Sequence, residues 1–188
     1  MTGRTSPARA IPLPDPPLAD GDLRLRSWRP DDAGALVAAW ADDEVARWTG
    51  VPARTDAAAA ARWIDGEAER RARGLAVDLV IDLDGAVVGE VGLSAFDVAS
   101  GTVEIGWWVA PSHRRRGLAA RAARLVAAWA STDLALPHVL ARCDPANPGS
   151  GAVARTAGFS RVDGPGAGTD GREVWRFSTA GGRGTVPT

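Results

Sequence analysis

"TVEIGWWVAPSHRRRGLAARAARL", residues 102–125, runs from a β-rich segment through a proline and a basic, glycine-containing turn into an alanine-rich pattern. Residues 102–110 are rich in Val, Ile and Trp and end at Pro111, so they read as a strand. From about Gly117 to Ser131, Leu118, Ala122, Leu125, Val126 and Trp129 recur at helical spacing and give one apolar face. "HVLARCD" (138–144) then reads as a second strand. A strand, a helix and a strand in that order form a crossover, which sets two parallel neighbours in one sheet.

Upstream, "LAVDLVIDLDGAVVGEVGLSAF" (75–96) is two β-rich runs joined by Asp84-Gly85, the strongest short hairpin signal in the chain. "LRLRSW" (23–28) alternates apolar and basic residues like a half-exposed strand. Two helices are predicted after it. One lies in 29–48 with Asp31 or Asp32 near its start, and one over 55–74 is capped by Thr55 or Asp56 and stopped by Gly74. Downstream, "PGSGAVARTAG" (148–158) is a short helix stopped by Gly158, and "FSRVD" and "REVWRFS" are strands around the glycine-rich turn 163–172. The order β, α, α, β, β, β, α, β, α, β, β predicts an α/β fold: a mixed sheet with helices on its faces.

The 188 residues suit one compact domain. We expect a disordered leader over 1–21, whose prolines forbid regular helix, one domain over 22–179, and a flexible tail over 180–188. No segment has the apolar length of a signal peptide or a membrane span, which points to a cytoplasmic protein with no membrane partner. A formal net charge of -1 gives no reason to expect nucleic acid. The single Cys143 excludes an internal disulfide and reads as a buried strand residue. His113 and His138 have no companion cluster, so no metal is expected.

Local charge is more telling. A donor-rich loop before a helix is an anion site, because the first amides of the helix lack partners and its dipole is positive there. Residues 114–119 have that character, with Gly117 allowing close backbone approach and three arginines adding charged donors. A solvated basic helix start is the alternative.

Arg114-Arg115-Arg116-Gly117-Leu118-Ala119 resembles the Q/R-x-x-G-x-G/A pyrophosphate loop of the GCN5-related N-acetyltransferases (GNATs). "VEIGWWVAP" resembles the central strand of that family, and "NPGSGAVARTAGF" the N-x-x-S-(seven residues)-G-F signature of its ribosomal-protein N-terminal acetyltransferase branch. The resemblance covers about residues 22 to 177. It implies a central, mixed, mostly antiparallel sheet with helices on both faces, and acetyl-CoA as cosubstrate. Pantetheine amides would pair to backbone near Trp108 and Val109, with the pyrophosphate on the amides of Arg114, Arg115, Arg116, Gly117, Leu118 and Ala119. At a rise of about 3.3 Å per residue, Glu104 and Ala110 stand about 20 Å apart, a span that suits a long ligand.

By its match to the family's strand glutamate, Glu104 would be the general base; the alternative is a surface carboxylate. A base is needed because an amine protonated at neutral pH cannot attack a thioester. Gly106 suggests a bulge or a close ligand approach. Asn147, followed by Pro148, reads as an N-cap. The resemblance adds a contact of Asn147 with the pantetheine arm and sets Ser150 near the sulfur, where its hydroxyl would stabilise the departing thiolate. The chain has no tyrosine to serve as the acid. Trp40, Trp48 and Trp63 lie in the region that borders the acceptor pocket in this family, whereas Trp129 and Trp175 read as core.

The expected activity is transfer of acetyl from acetyl-CoA to a primary amine, on a peptide N-terminus or a small molecule, by a monomer or homodimer. A catalytically silent acyl-CoA-binding module and a nucleic-acid-binding basic patch are the alternatives.

Overall fold

Asp84 and Gly85 both lie in the left-handed region, with φ of 53° and 87°. A two-residue hairpin turn needs that geometry to match the strand twist. The turn joins β3 (Ala76–Leu83) to β4 (Ala86–Asp97). This computed structural model describes residues 10–52, 55–97, 99–163 and 170–178. The sheet begins with β1 (Ala19–Asp20) and β2 (Leu23–Ser27) and continues past the hairpin with β5 (Thr102–Val109) and β6 (His138–Cys143). It ends with β7 (Phe159–Arg161) and β8 (Glu173–Phe177). Among the described residues its eight strands run in the order β1-β2-β3-β4-β5-β6-β8-β7. Neighbours are antiparallel except β5 and β6, the parallel pair of the predicted crossover.

Helices cover both faces. On one side lie α5 (Leu118–Thr132) and α6 (Pro148–Thr156). Ala122, Ala123, Val126, Ala127 and Ala130 of α5 are fully buried against an aliphatic cluster that includes Leu79, Ile81 and Val91. Trp129, Trp175 and Cys143 are buried there too, as expected. On the other side lie α1 (Ala33–Trp40), α2 (Asp43–Trp48), α3 (Ala57–Asp65) and α4 (Glu67–Ala72). These bring Leu36, Trp40 and Ile64 onto Trp28, Val80 and Trp108 of the sheet side.

The two predicted N-terminal helices are thus four. The Asp42 carboxylate accepts from the Val45 amide at 3.0 Å and starts a new helix inside the first apolar stripe. Gly66 separates α3 from α4. Asp56, not Thr55, caps α3, accepting from Ala59 at 2.7 Å.

The leader also needs correction. Ile11 is buried, its amide donates to the Arg71 carbonyl at 2.9 Å, Leu18 accepts from Leu25, and Ala19–Asp20 pair with β2. Prolines exclude helix from this stretch but leave an extended chain free to pair and to bury a side chain. Residues 1–9, the centre of the glycine-rich turn (164–169) and the tail 180–188 lie outside the described residues.

A buried ion cluster braces the start of the sheet. Arg26 donates to Asp82 at 2.6 Å and to both oxygens of Asp32 at 2.7 and 3.1 Å.

Candidate active site

β5 pairs with β4 from Glu104 to Val109 but with β6 only over Thr102, Val103 and Glu104. Beyond Glu104 the parallel strands part, leaving one edge of β5 without a ladder. Ala110 donates to Val88 at 2.9 Å, so alternation directs the backbone of Trp108 and Gly106 at β4 and that of Ile105, Trp107 and Val109 at the gap. The Trp108 carbonyl leans so far toward β4 that a Cβ on Gly89 would clash with it. The exposed backbone expected at Trp108 therefore belongs to its neighbours. A cleft of about 850 Å³ occupies the parting, and β4, β5, α2, the loop before α5 and the start of α6 line it.

At one end of the cleft is the basic loop. Arg115 and Gly117 both have positive φ, 62° and 74°, and Gly117 opens α5 with no side-chain cap. Among the described residues the amides of Arg115, Arg116 and Gly117 donate to no backbone carbonyl. The first amides of α5, from Leu118 and Ala119, have none within the helix. Consecutive open amides at a positive dipole end suit an anion. The side chains of Leu118 and Ala119 are buried, so these residues offer backbone only. A Cβ on Gly117 would meet nothing within 4 Å, so glycine serves here for its φ and its openness.

The three arginines differ. Arg115 is exposed and lines the cleft; Arg116 is exposed and does not. Arg114 is committed elsewhere: its Nε donates to the Val109 carbonyl at 3.0 Å and its terminal nitrogen bonds the Asp42 carboxylate. Its amide faces the Pro111 carbonyl at 3.4 Å. Instead of the expected anion donor, Arg114 is a clamp between the end of β5 and the cap of α2, a partner that no local pattern announces.

Asn147 and Ser150 line the cleft at the start of α6. The Asn147 Oδ1 accepts from the Ser150 amide at 3.2 Å, the predicted N-cap. The Ser150 hydroxyl donates to the Cys143 thiol at 3.3 Å, and burial pushes that thiol up in pKa.

Glu104 is not brought to the cleft. Its Oε1 takes a 2.6 Å hydrogen bond from Arg142 Nε, and Arg142 is the one that lines the cavity. Of the strand glutamates Glu90 and Glu104, Glu90 is the one that lines the cleft, on the same sheet face as Val80 and Trp108. It accepts from the Trp28 indole N–H at 3.1 Å and from the Trp108 indole N–H at 3.3 Å. Burial, and next the charge of Asp78, push its pKa up to about 8, although both indoles pull the other way. Sequence reading passed over Glu90 inside a hairpin pattern. Its signal was a lone carboxylate flanked by Gly89 and Val91 with Gly92 next in line, a charge placed where strand alternation faces a packed surface.

Of the three tryptophans expected near the acceptor, only Trp48 lines the cleft, its indole donating to Glu44 at 2.8 Å. Trp40 is buried and meets Trp63 edge to face at 6.4 Å, and Trp63 meets Trp28 in the same way at 5.6 Å. Trp40 and Trp63 are thus packing residues one layer behind Glu90.

Comparison with known proteins gives the family of the chain and relatives of its fold. Residues 22–160 match the model of the acetyltransferase (GNAT) domain. The chain is 26% identical over 133 residues to an uncharacterized N-acetyltransferase, p20, of Bacillus licheniformis, covering 66% of this chain and 71% of that one. A putative ribosomal-protein-serine acetyltransferase from Vibrio cholerae superposes with a TM-score of 0.74 at 20% identity, over 89% of this chain and 99% of that one. RimJ of Mycobacterium smegmatis, solved in complex with CoA-disulfide, gives 0.67 at 24% identity, over 82% and 79%. With its parted parallel strands, uncapped amide loop and family match over most of its length, the chain belongs to the GNAT acetyltransferase family.

Proposed function

We propose that the protein transfers acetyl from acetyl-CoA to a primary amine, first among candidates the α-amine of a peptide N-terminus, with Glu90 as the general base. Glu90 on the cleft floor is the observation that carries this reading. The open amides of residues 115–119 suit the pyrophosphate, Arg115 adds charge, and the free β5 edge at Trp107 suits the pantetheine amides. RimJ supports the cosubstrate by its bound CoA-disulfide, and the Vibrio cholerae relative supports a protein acceptor by its description.

The reaction balances without a covalent enzyme intermediate. The acceptor ammonium gives one proton to the Glu90 carboxylate, and its lone pair forms the C–N bond at the thioester carbonyl. The C–S bond then breaks, and the thiolate takes a second proton from the nitrogen. Ser150 can donate to that thiolate once it turns from Cys143. A base of pKa about 8 is matched to an α-amine near 8, whereas a lysine side chain near 10.4 would resist the transfer by about 3 kcal/mol. That match ranks α-amines ahead of lysine-like amines.

The test is acetyl-CoA consumption over a panel of peptides and small amines, repeated with Glu90→Gln and Glu104→Gln. We expect turnover on α-amines, lost in Glu90→Gln and kept in Glu104→Gln. The reverse pattern returns the base to Glu104. CoA binding with no turnover on any amine makes the protein a silent acyl-CoA-binding module.

A further inference from the structure

Beside Glu90 the sheet has a gap in its side chains. Gly92 and Gly106 face each other across β4 and β5, on the face that carries Glu90 and Trp108. Two directly paired glycines leave a strip of bare backbone between the side chains of neighbouring pairs. Nothing stands within 4 Å of where a Gly106 Cβ would be, so the strip opens into the cleft.

Asp78 closes its far end. It is the cross-strand partner of Gly92 on β3, and its Oδ1 lies 2.8 Å from where a Gly92 Cβ would be, so the carboxylate leans over the missing side chain. Its two oxygens are used differently. Oδ2 is held by Arg70, from Nε at 3.3 Å and NH2 at 3.0 Å. Oδ1 accepts from no group among the described residues. Arg70 is itself fixed, donating to the Trp63 carbonyl at 2.9 Å and stacked on the Trp63 ring at 4.4 Å. Burial raises the pKa of Asp78 and the Arg70 guanidinium in contact with it pulls the other way, whereas Glu90 has only indole donors.

We propose that Asp78 anchors the acceptor's ammonium group in the glycine trough, holding the nitrogen through a proton that is not transferred while Glu90 takes the one that is. The assignment rests on the acetyl-transfer reading and deepens it. The site then selects a cationic primary amine, because two carboxylate acceptors need two N–H donors on one nitrogen while a third bond ties it to the rest of the acceptor. A neutral hydroxyl in the same place offers one donor and no charge. Arg70 is the positioning residue that turns Oδ2 away and leaves Oδ1 for the ligand.

The experiment reads the indole N–H signals of Trp28 and Trp108, which touch Glu90, while alaninamide is added to the full chain near pH 7 without acetyl-CoA. Lactamide, its neutral hydroxyl counterpart, is the control. We expect saturable shifts with alaninamide and none with lactamide. Asp78→Asn should weaken binding about tenfold or more. Gly106→Ala, whose Cβ would meet nothing within 4 Å and stands in the trough, should weaken it as well and decides the matter if Asp78→Asn does not fold. Overturning results are wild-type affinity in either folded variant, equal binding of lactamide, or no saturable shift up to about 0.1 M, well beyond the millimolar range expected of one ammonium group. The outcomes separate from the transfer reading: ammonium binding without acetyl-CoA consumption keeps the anchor and removes the activity, and turnover without Asp78-dependent binding does the opposite.

Discussion

Under α5 and α6 the sheet buries Leu79, Ile81 and Val91 against alanine. Under α1 and α3 it buries Val80 and Trp108 with Trp28 and Trp40, the last of these from α1, and Glu90 and Asp78 lie at their margin. The first face is mostly aliphatic and alanine, and its small helix residues let α5 approach closely. The second uses side chains that are apolar in body and donors at one nitrogen, so it can hold a carboxylate away from water. That difference divides the labour. The aliphatic face fixes the sheet and aims the amides at the start of α5, and the indole face sets the proton affinity of the floor of the cleft.

Four measurements break or sharpen the contrast. The largest effect is expected from Glu90→Gln, about 100-fold or more off kcat, with folding intact. Its stability should show the sign of a raised carboxyl. Between pH 4.5 and about 8 the folded protein holds a proton that the unfolded chain has released, so wild-type stability falls as pH rises through that window. The glutamine variant should lack this slope, and a wild-type Tm that does not fall between pH 5 and about 8 relative to the variant would contradict a raised Glu90.

Next is Leu79→Ala on the aliphatic face. It should cost about 2–5 kcal/mol in denaturant unfolding while leaving turnover per folded molecule unchanged. A matching loss of kcat would mean that the two faces are not separable.

Smaller is the paired effect on CoA affinity at the start of α5. Gly117→Glu should weaken binding about tenfold or more, by strain at positive φ and by a charge against the phosphates. Arg115→Ala should cost only about 0–1 kcal/mol and become neutral in high salt. Equal affinities for the two would shift the anion site from amides to side chains.

The smallest is Trp28→Phe, which removes one donor from Glu90. Its pKa should climb further, moving the rising limb of kcat/KM to higher pH than in the wild type, where that limb is expected near 8.

Much of the frame was legible because it is local. Asp84-Gly85 requires a hairpin through its own φ preferences, Pro111 ends β5, Gly117 opens α5, and Asn147-Pro148 caps α6, each within a few residues. The site was legible only as far as it is backbone. The amide loop lies where the spacing put it, but Arg114, read there as a phosphate donor, reaches Asp42, 72 residues away in sequence. Glu104 and Arg142, 38 residues apart, pair for the same kind of reason. The N-terminal stretch was misread by composition: prolines say what it cannot form, not what Ile11 can bury.

The sequence by itself determined the order of the strands and helices from the hairpin onward, the hairpin itself, the parallel crossover and the uncapped helix start behind the basic loop. Dihedral preference, apolar periodicity and capping all act over a few residues. Only the tertiary structure decided which of the two strand glutamates lines the cleft. Glu90 and Glu104 are both strand glutamates on one face of the sheet, and nothing nearby in sequence separates them. Parting β5 from β6 beyond Glu104 leaves Glu104 beside Arg142, while packing α1 and α3 over β4 sets two indole donors and an apolar wall around Glu90. A proton affinity is a property of that surrounding, and the surrounding comes from four separate elements of the chain.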